Sequence, residues 1–280
     1  MTDPIGFIDA LLRLLDVQVS VAALLVLGGL VFARMLAFVT VVPFFGGQSV
    51  PNQIKVAEAV AFVLLIVPGL SASVPEPALR GGPFGFAILV IKEVAVGFTL
   101  GFVASLVFEA IQVAGRIIDA QRGAMMGEML NPMLQEQVSE LGQFKLQVAI
   151  VIFLALGAHR LVIEALFRSF ELIPVTDFPK LGTGLSPALT SIILLTGEIL
   201  TLGVRLAAPA MAALLLTDVF FGLINRVAPQ FNVFFLSMPV KMALGIFIVM
   251  LSLAIYAEQY QAAFREALQA FEVLMRQLAP

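Results

Sequence analysis

The chain has 280 residues, of which 60% are hydrophobic and 12% charged. Soluble domains carry about 25% charged residues, and a globule of this size still shows much of its surface to water, so a bilayer, a large protein partner or both must cover the excess. With no Cys, one His and a net charge of −3, the composition excludes disulfides, thiolate chemistry, Cys-based metal sites, HExxH zinc sites, paired-His haem ligation and a basic nucleic-acid surface.

In chain order, Met1-Thr2-Asp3-Pro4 lacks the positive start and cleavage site of a secretory signal. The first apolar stretch is therefore expected to stay in the mature chain. Six hydrophobic regions follow: Val17–Phe45, Val56–Leu70, Phe84–Phe108, Leu146–Phe167, Leu189–Ile224 and Val240–Tyr256. Runs of this length predict helices rather than strands, and those near 20 residues are long enough to span a bilayer. Leu189–Ile224 is too long for one simple span, and Pro209 is expected to kink or split it by removing a backbone donor. The connections at Gly46–Pro51, Ser71–Pro83 and Thr176–Pro187 are rich in breakers and predict turns or loops. The longest polar region is Ala110–Phe144.

After Tyr256 the pattern changes. Tyr260, Phe264, Leu268, Phe271 and Leu274 recur at helical spacing, with Glu258, Arg265, Glu266, Glu272 and Arg276 between them. This predicts an amphipathic helix over residues 257–280, lying on a membrane surface or on a partner subunit. Lys and Arg are scattered over most connections, so no positive-inside asymmetry sets an orientation. With no Trp and 2 Tyr, the usual aromatic belt is weak as well. Both features suggest helices that are not ordinary single-pass spans.

Charges punctuate the apolar regions: Arg34, Glu58, Lys92, Glu93, Glu198, Arg205, Asp218 and Lys241. An unpaired charge at the bilayer centre costs roughly 2.5–3.5 kcal/mol on insertion scales, so these residues are expected to face other helices or water. Lys92 and Glu93 are adjacent and point to different sides of a helix, which argues against their pairing. Glu198 and Arg205 share a face two turns apart, and each needs a partner from elsewhere. Two readings follow, a polar pathway as in a transporter or polar contacts between subunits.

Gly97-Phe98-Thr99-Leu100-Gly101 is a GxxxG pattern that lets helix backbones approach closely. His159, after Gly157-Ala158 at the break in the fourth region, has no triad-like arrangement near it and reads as a hydrogen-bonding end residue. Met125, Met126, Met129 and Met133 lie within nine residues, with Gly127 among them and Asn131-Pro132 near the end. Flexible, polarizable Met side chains suit a surface that changes shape. The segment reads either as a soft seal or as an ordinary hairpin with Met as filler.

Three blocks carry a family likeness. The first is Arg34 with Val42-Pro43-Phe44-Phe45-Gly46 and Val50-Pro51-Asn52-Gln53-Ile54-Lys55. The second is Gly115-Arg116-Ile117-Ile118-Asp119-Ala120-Gln121-Arg122-Gly123-Ala124 with Asn131-Pro132. The third is Asp218-Val219-Phe220-Phe221-Gly222-Leu223-Ile224-Asn225-Arg226, then Ala228-Pro229-Gln230-Phe231-Asn232-Val233-Phe234 and Met238-Pro239-Val240-Lys241. In order and separation they resemble the FliR/SctT/SpaR family of type III protein-export components across nearly the whole chain. The Asp-x-Gln-Arg-Gly-Ala form is more similar to the injectisome (SctT) side than to the flagellar side.

The resemblance implies an all-α fold of membrane-associated helical hairpins, like a fusion of SctR-like and SctS-like folds. It implies a single export-gate subunit of the bacterial inner membrane, much of it above the lipid plane. It also implies a non-enzymatic role without cofactor or metal. Expected partners are FliP/SctR-type, FliQ/SctS-type and FlhB/SctU-type subunits, with unfolded secreted proteins as cargo and no nucleic acid. The family's channel plug maps to the central region 110–145. Met125, Met126, Met129 and Met133 would then seal the channel, and Asp119, Gln121 and Arg122 would hold the base of the plug. Arg34, Lys92, Glu93, Gly97, Gly101, Glu198, Arg205, Asp218 and Lys241 become packing or polar contacts within the assembly. The competing reading is a secondary transporter using Glu198, Arg205 and Asp218.

Overall fold

The computed structural model describes residues 21–45, 47, 50–70, 82–124, 139–179 and 187–279. The Met-rich segment, with Met125, Met126, Met129 and Met133, lies outside them, as do most of the predicted loops at 71–83 and 176–187. Among the described residues all regular structure is helical. The helices are α1 (Val21–Val41), α2 (Asn52–Leu70), α3 (Gly82–Arg122), α4 (Glu140–Ala155), α5 (Ala158–Leu172), α6 (Pro187–Val227), α7 (Val233–Leu251) and α8 (Leu253–Leu278). A short 3₁₀ turn covers Pro43–Phe45. Five helices are long and apolar enough to cross a membrane, and six if α4 and α5 count as one broken span.

Two sequence expectations change, and a third takes definite form. First, α3 does not end near Phe108 but runs 41 residues to Arg122. The first part of the region that reads as polar, up to Arg122, is therefore helix end, because Ala110, Ile111, Ala114 and Ile118 form a fully buried stripe at helical spacing. Second, the split that Pro209 allows does not occur: Pro209 lies inside α6, a single helix of 41 residues. A membrane helix tolerates Pro where neighbouring groups or local adjustment satisfy the freed carbonyl. Third, the break read at Gly157-Ala158 within Leu146–Phe167 separates two helices bent by 76°. The break falls at Gly157, whose φ of 69° is left-handed backbone that favours glycine. His159 is half-buried in the first turn of α5.

Two compact units divide the chain. The first comprises residues 1–105, 161–190 and 270–280, and the second residues 106–160 and 191–269. In the first unit α1 and α3 cross backbone to backbone. A Cβ on Gly97 would come within 2.2 Å of the Arg34 carbonyl oxygen, and one on Gly101 within 3.0 Å of the Phe38 oxygen. The GxxxG spacing is thus occupied inside the chain. Phe62 meets Phe45 and Phe167 edge-on, at 5.6 and 6.2 Å between ring centroids.

In the second unit α3 and α4 meet through glycines as well: a Cβ on Gly115 would lie 2.3 Å from the Gly142 Cα. Phe108, Phe153 and Phe264 form a ring trio with centroids 5.0–5.3 Å apart. Phe264 belongs to α8, so the expected location of that amphipathic face needs correction. Tyr256, Tyr260, Phe264, Phe271 and Leu274 are all buried within this chain, while Glu258, Arg265, Glu266, Glu272 and Arg276 are exposed. The apolar stripe is covered by the chain's own side chains, which removes it from water.

Candidate functional site

The first polar cluster lies in the first unit. Arg34 of α1 is completely buried. Its Nε and Nη2 donate to Glu93 of α3 at 2.5 and 3.0 Å, a forked pair. Nη1 donates to the carbonyl and hydroxyl oxygens of Ser169 at 3.0 and 3.1 Å, and Nη2 also donates to the Ile173 carbonyl at 2.8 Å. These contacts account for all five guanidinium hydrogens. The guanidinium also lies 4.1 Å over the Phe170 ring. Lys92 donates to the carbonyls of Pro174, Val175 and Asp177 at 2.8–3.1 Å.

The expectation that Lys92 and Glu93 do not pair is overturned. The Lys92 ammonium lies 2.5 Å from Glu93 Oε1, because its four-carbon stem reaches around the helix to the same pocket. Two cations thus face one carboxylate. The balance comes from carbonyls at and beyond the C-terminal end of α5, where the helix dipole favours positive charge.

The second cluster lies in the second unit, at the end of α3. Asp119 is buried and accepts three hydrogen bonds: from Arg122 Nε at 2.6 Å, Ser139 Oγ at 2.5 Å and the Leu141 amide at 3.0 Å. Ser139 is the N-cap of α4 and accepts from the Gly142 amide at 2.9 Å. Arg122 reaches Glu140 at 3.3 Å. The end of α3 is itself closed by Gly123, at φ 81°, with bonds from Ala124 N to Asp119 O and from Gly123 N to Ala120 O. This is a Schellman cap. Asp119 therefore ties the residue that leaves α3 to the residue that begins α4, and both ends of the segment 125–138 are fixed to one carboxylate. Gln121 does not join them, since its Oε1 is buried without a partner among the described residues.

Sequence reasoning missed Ser139, Leu141 and Gly142. A Ser directly before Glu140 and an apolar run is an N-cap signal that was available. The carbonyl acceptors around Arg34 and Lys92 leave no side-chain signal. Lys145, which reads as a connection residue, is instead buried in α4, its ammonium 4.0 Å over the Tyr256 ring.

The charges on α6 and α7 behave differently. Glu198 and Arg205 are exposed and have no ion-pair partner among the described residues. Asp218 pairs with Lys241 of α7 at 2.7 Å. Glu198 and Asp218 are twenty residues apart on one helix, about 30 Å at 1.5 Å per residue. The three residues of the transporter reading do not converge on one site.

These features define a multi-helix membrane protein whose polar groups hold helices and a connecting segment in place. The family profile described as bacterial export proteins, family 1, matches residues 25–267, and the chain belongs to that family. It is 30% identical over 255 residues to the flagellar biosynthetic protein FliR of Caulobacter vibrioides, covering 91% of this chain and 96% of the relative. It is 36% identical over 194 residues to the Yop proteins translocation protein T of Yersinia pestis, covering 69% and 72%. It is 31% identical over 244 residues to the surface presentation of antigens protein SpaR of Shigella flexneri, covering 86% and 91%. The chain is a structural component of the type III protein export gate, and the flagellar and injectisome branches are equally consistent with these likenesses.

Proposed function

We propose that this chain builds a protein-conducting channel together with FliP/SctR-type and FliQ/SctS-type subunits, with an FlhB/SctU-type protein outside them. In this reading it has no catalytic activity and needs no cofactor. Residues 1–280 act as one subunit in which the region 110–145 serves as the channel plug. Met125, Met126, Met129 and Met133 close the empty channel and repack around an extended polypeptide in transit, which suits flexible thioether side chains. The observation that carries this reading is the Asp119 clasp. A segment that must seal and yield needs fixed ends, and Asp119 binds both of them through Arg122, Ser139 and the Leu141 amide.

The exposed charges Glu198 and Arg205 are contacts to neighbouring subunits. Seven residues apart, they stand about 10 Å from each other along α6. They call for a partner helix carrying the opposite pair at the same spacing, because lipid would leave both unpaired.

Deleting Ala124–Met129 tests the plug role. The expected result is an assembly that forms with its partners and makes cells permeable to small solutes. An assembled complex with unchanged permeability would remove the sealing role. Co-purification with the partner subunits tests the assembly role: a stable, monodisperse monomer that carries a small solute into liposomes would sink it.

A further inference from the structure

The hairpin that joins α6 to α7 carries a polar pocket of about 590 Å³, between two helices that expose many apolar side chains. Asp218, Gly222 and Asn225 line it from one face of α6, at the i, i+4, i+7 spacing that aligns side chains. The turn supplies Gln230, Phe231 and Asn232, and α7 supplies Phe234. The turn holds itself without these side chains, through backbone bonds from Ala228 N to Ile224 O, Phe231 N to Ala228 O and Val233 N to Phe231 O. Asn232 stands at the N-cap of α7, where an Asn normally caps, yet its side chain makes no capping bond. Asn225, Gln230 and Asn232 are all exposed, so three carboxamides face the pocket without a structural task in the hairpin.

Together these observations decide the chemistry of the occupant. Each carboxamide presents both a donor and an acceptor, the complement of the N–H and C=O groups along an extended main chain. An unfolded chain carries those groups unpaired and must satisfy them. Phe231 and Phe234, 58% and 50% exposed, offer apolar contact without a shaped side-chain slot. Asp218 is neutralised by Lys241 at 2.7 Å, so the pocket does not select the charge of what it holds. The α6 face from Asp218 to Asn225 is about 10 Å long, the length of about three extended residues.

We infer that this hairpin pocket is a sequence-independent contact for the main chain of an extended polypeptide, the cargo of the export channel. The inference rests on the proposed protein-conducting role and assigns to it a second cargo-touching site, separate in sequence from the Met-rich segment.

The test places a photo-crosslinking amino acid at Gln230 or Asn232 of the full chain. Cells carry the complete export apparatus, jammed by a cargo fused to a domain that cannot unfold. The control position is Phe247 of α7, which is 58% exposed. The expected result is a cargo adduct at 230 and 232 and none at 247, retained when the cargo sequence in transit is changed. Adducts at 230 and 232 only with another export subunit, while cargo crosslinks elsewhere in the channel, overturn the inference and leave the conducting role intact. Cargo that crosslinks nowhere in the channel overturns the conducting role and the inference with it. As a second measurement, Asn225→Ala, Gln230→Ala and Asn232→Ala together should leave assembly unchanged and slow export. Each lost hydrogen bond weakens the hold on the chain about 2- to 10-fold. Normal export from an assembled triple variant counts against the site.

Discussion

Arg34, Lys92 and Glu93 sit in apolar helices just as Glu198 and Arg205 do, but the two sets have opposite surroundings. The first set is buried, and Arg34 has a partner for every guanidinium hydrogen. The second set is exposed on α6 without an ion pair among the described residues. A buried charge is costly without partners, and Arg34, Lys92 and Glu93 find theirs within the chain, so the first set is a device for the chain's own fold. An exposed charge in an apolar helix has to be matched from outside. The apolar stretch of α3 is 61% buried within the chain, whereas those of α6 and α7 are 28% and 17% buried. The chain thus completes one part of its polar bonding by itself and leaves another part to an assembly.

Several substitutions would break or sharpen this contrast. The largest effect is expected for Arg34→Ala, which leaves Glu93 buried beside Lys92 alone. Breaking one side of a buried pair costs about 3–5 kcal/mol, and pulse-chase measurement should show the chain degraded before it reaches the export complex. Next is Asp119→Ala, which removes three hydrogen bonds at once and leaves the buried Arg122 guanidinium only its longer contact to Glu140. Bonds to charged groups contribute about 1.5–3 kcal/mol. Limited proteolysis should cut between residues 123 and 140 much faster in this variant, and an unchanged cleavage rate would refute the clasp.

Gly97→Ala comes third. Its methyl would meet the Arg34 carbonyl oxygen at 2.2 Å, so α1 and α3 must separate, at about 1–3 kcal/mol for overpacking. A lowered midpoint in thermal unfolding of the detergent-extracted assembly is the readout. Lys241→Met is expected to cost less, because a partly exposed pair contributes only about 0.2–1 kcal/mol. Smallest for the fold itself is Glu198→Gln with Arg205→Gln, within about 0.5 kcal/mol as for other exposed changes. This last variant should nevertheless lose its partner subunits on purification. Retention of the partners at wild-type levels would mean that these charges face lipid or water rather than a subunit.

Much of this was legible from residues alone. Apolar runs gave most of the helices, and GxxxG marked a helix face made for close packing. What stayed hidden was main-chain chemistry. The carbonyls of Ser169, Ile173, Pro174 and Val175 hold Arg34 and Lys92, and a carbonyl looks the same in every residue. The continuation of α3 past Phe108 was hidden because its buried stripe alternates with Gln112, Arg116 and Gln121, which lower the local hydropathy without breaking the helix.

The sequence by itself determined the membrane-embedded, all-helical class, the family and the positions where charge interrupts apolar helices, because composition and spacing are local properties of the chain. Only the tertiary structure decided which of those charges are complete. Lys92 and Glu93 point apart on a helical wheel and pair in space, while Glu198 and Arg205 share a face and remain open. The physical reason is that a charge is stabilised by what surrounds it within a few ångströms, and much of what surrounds Arg34 and Lys92 comes from carbonyls more than fifty positions away.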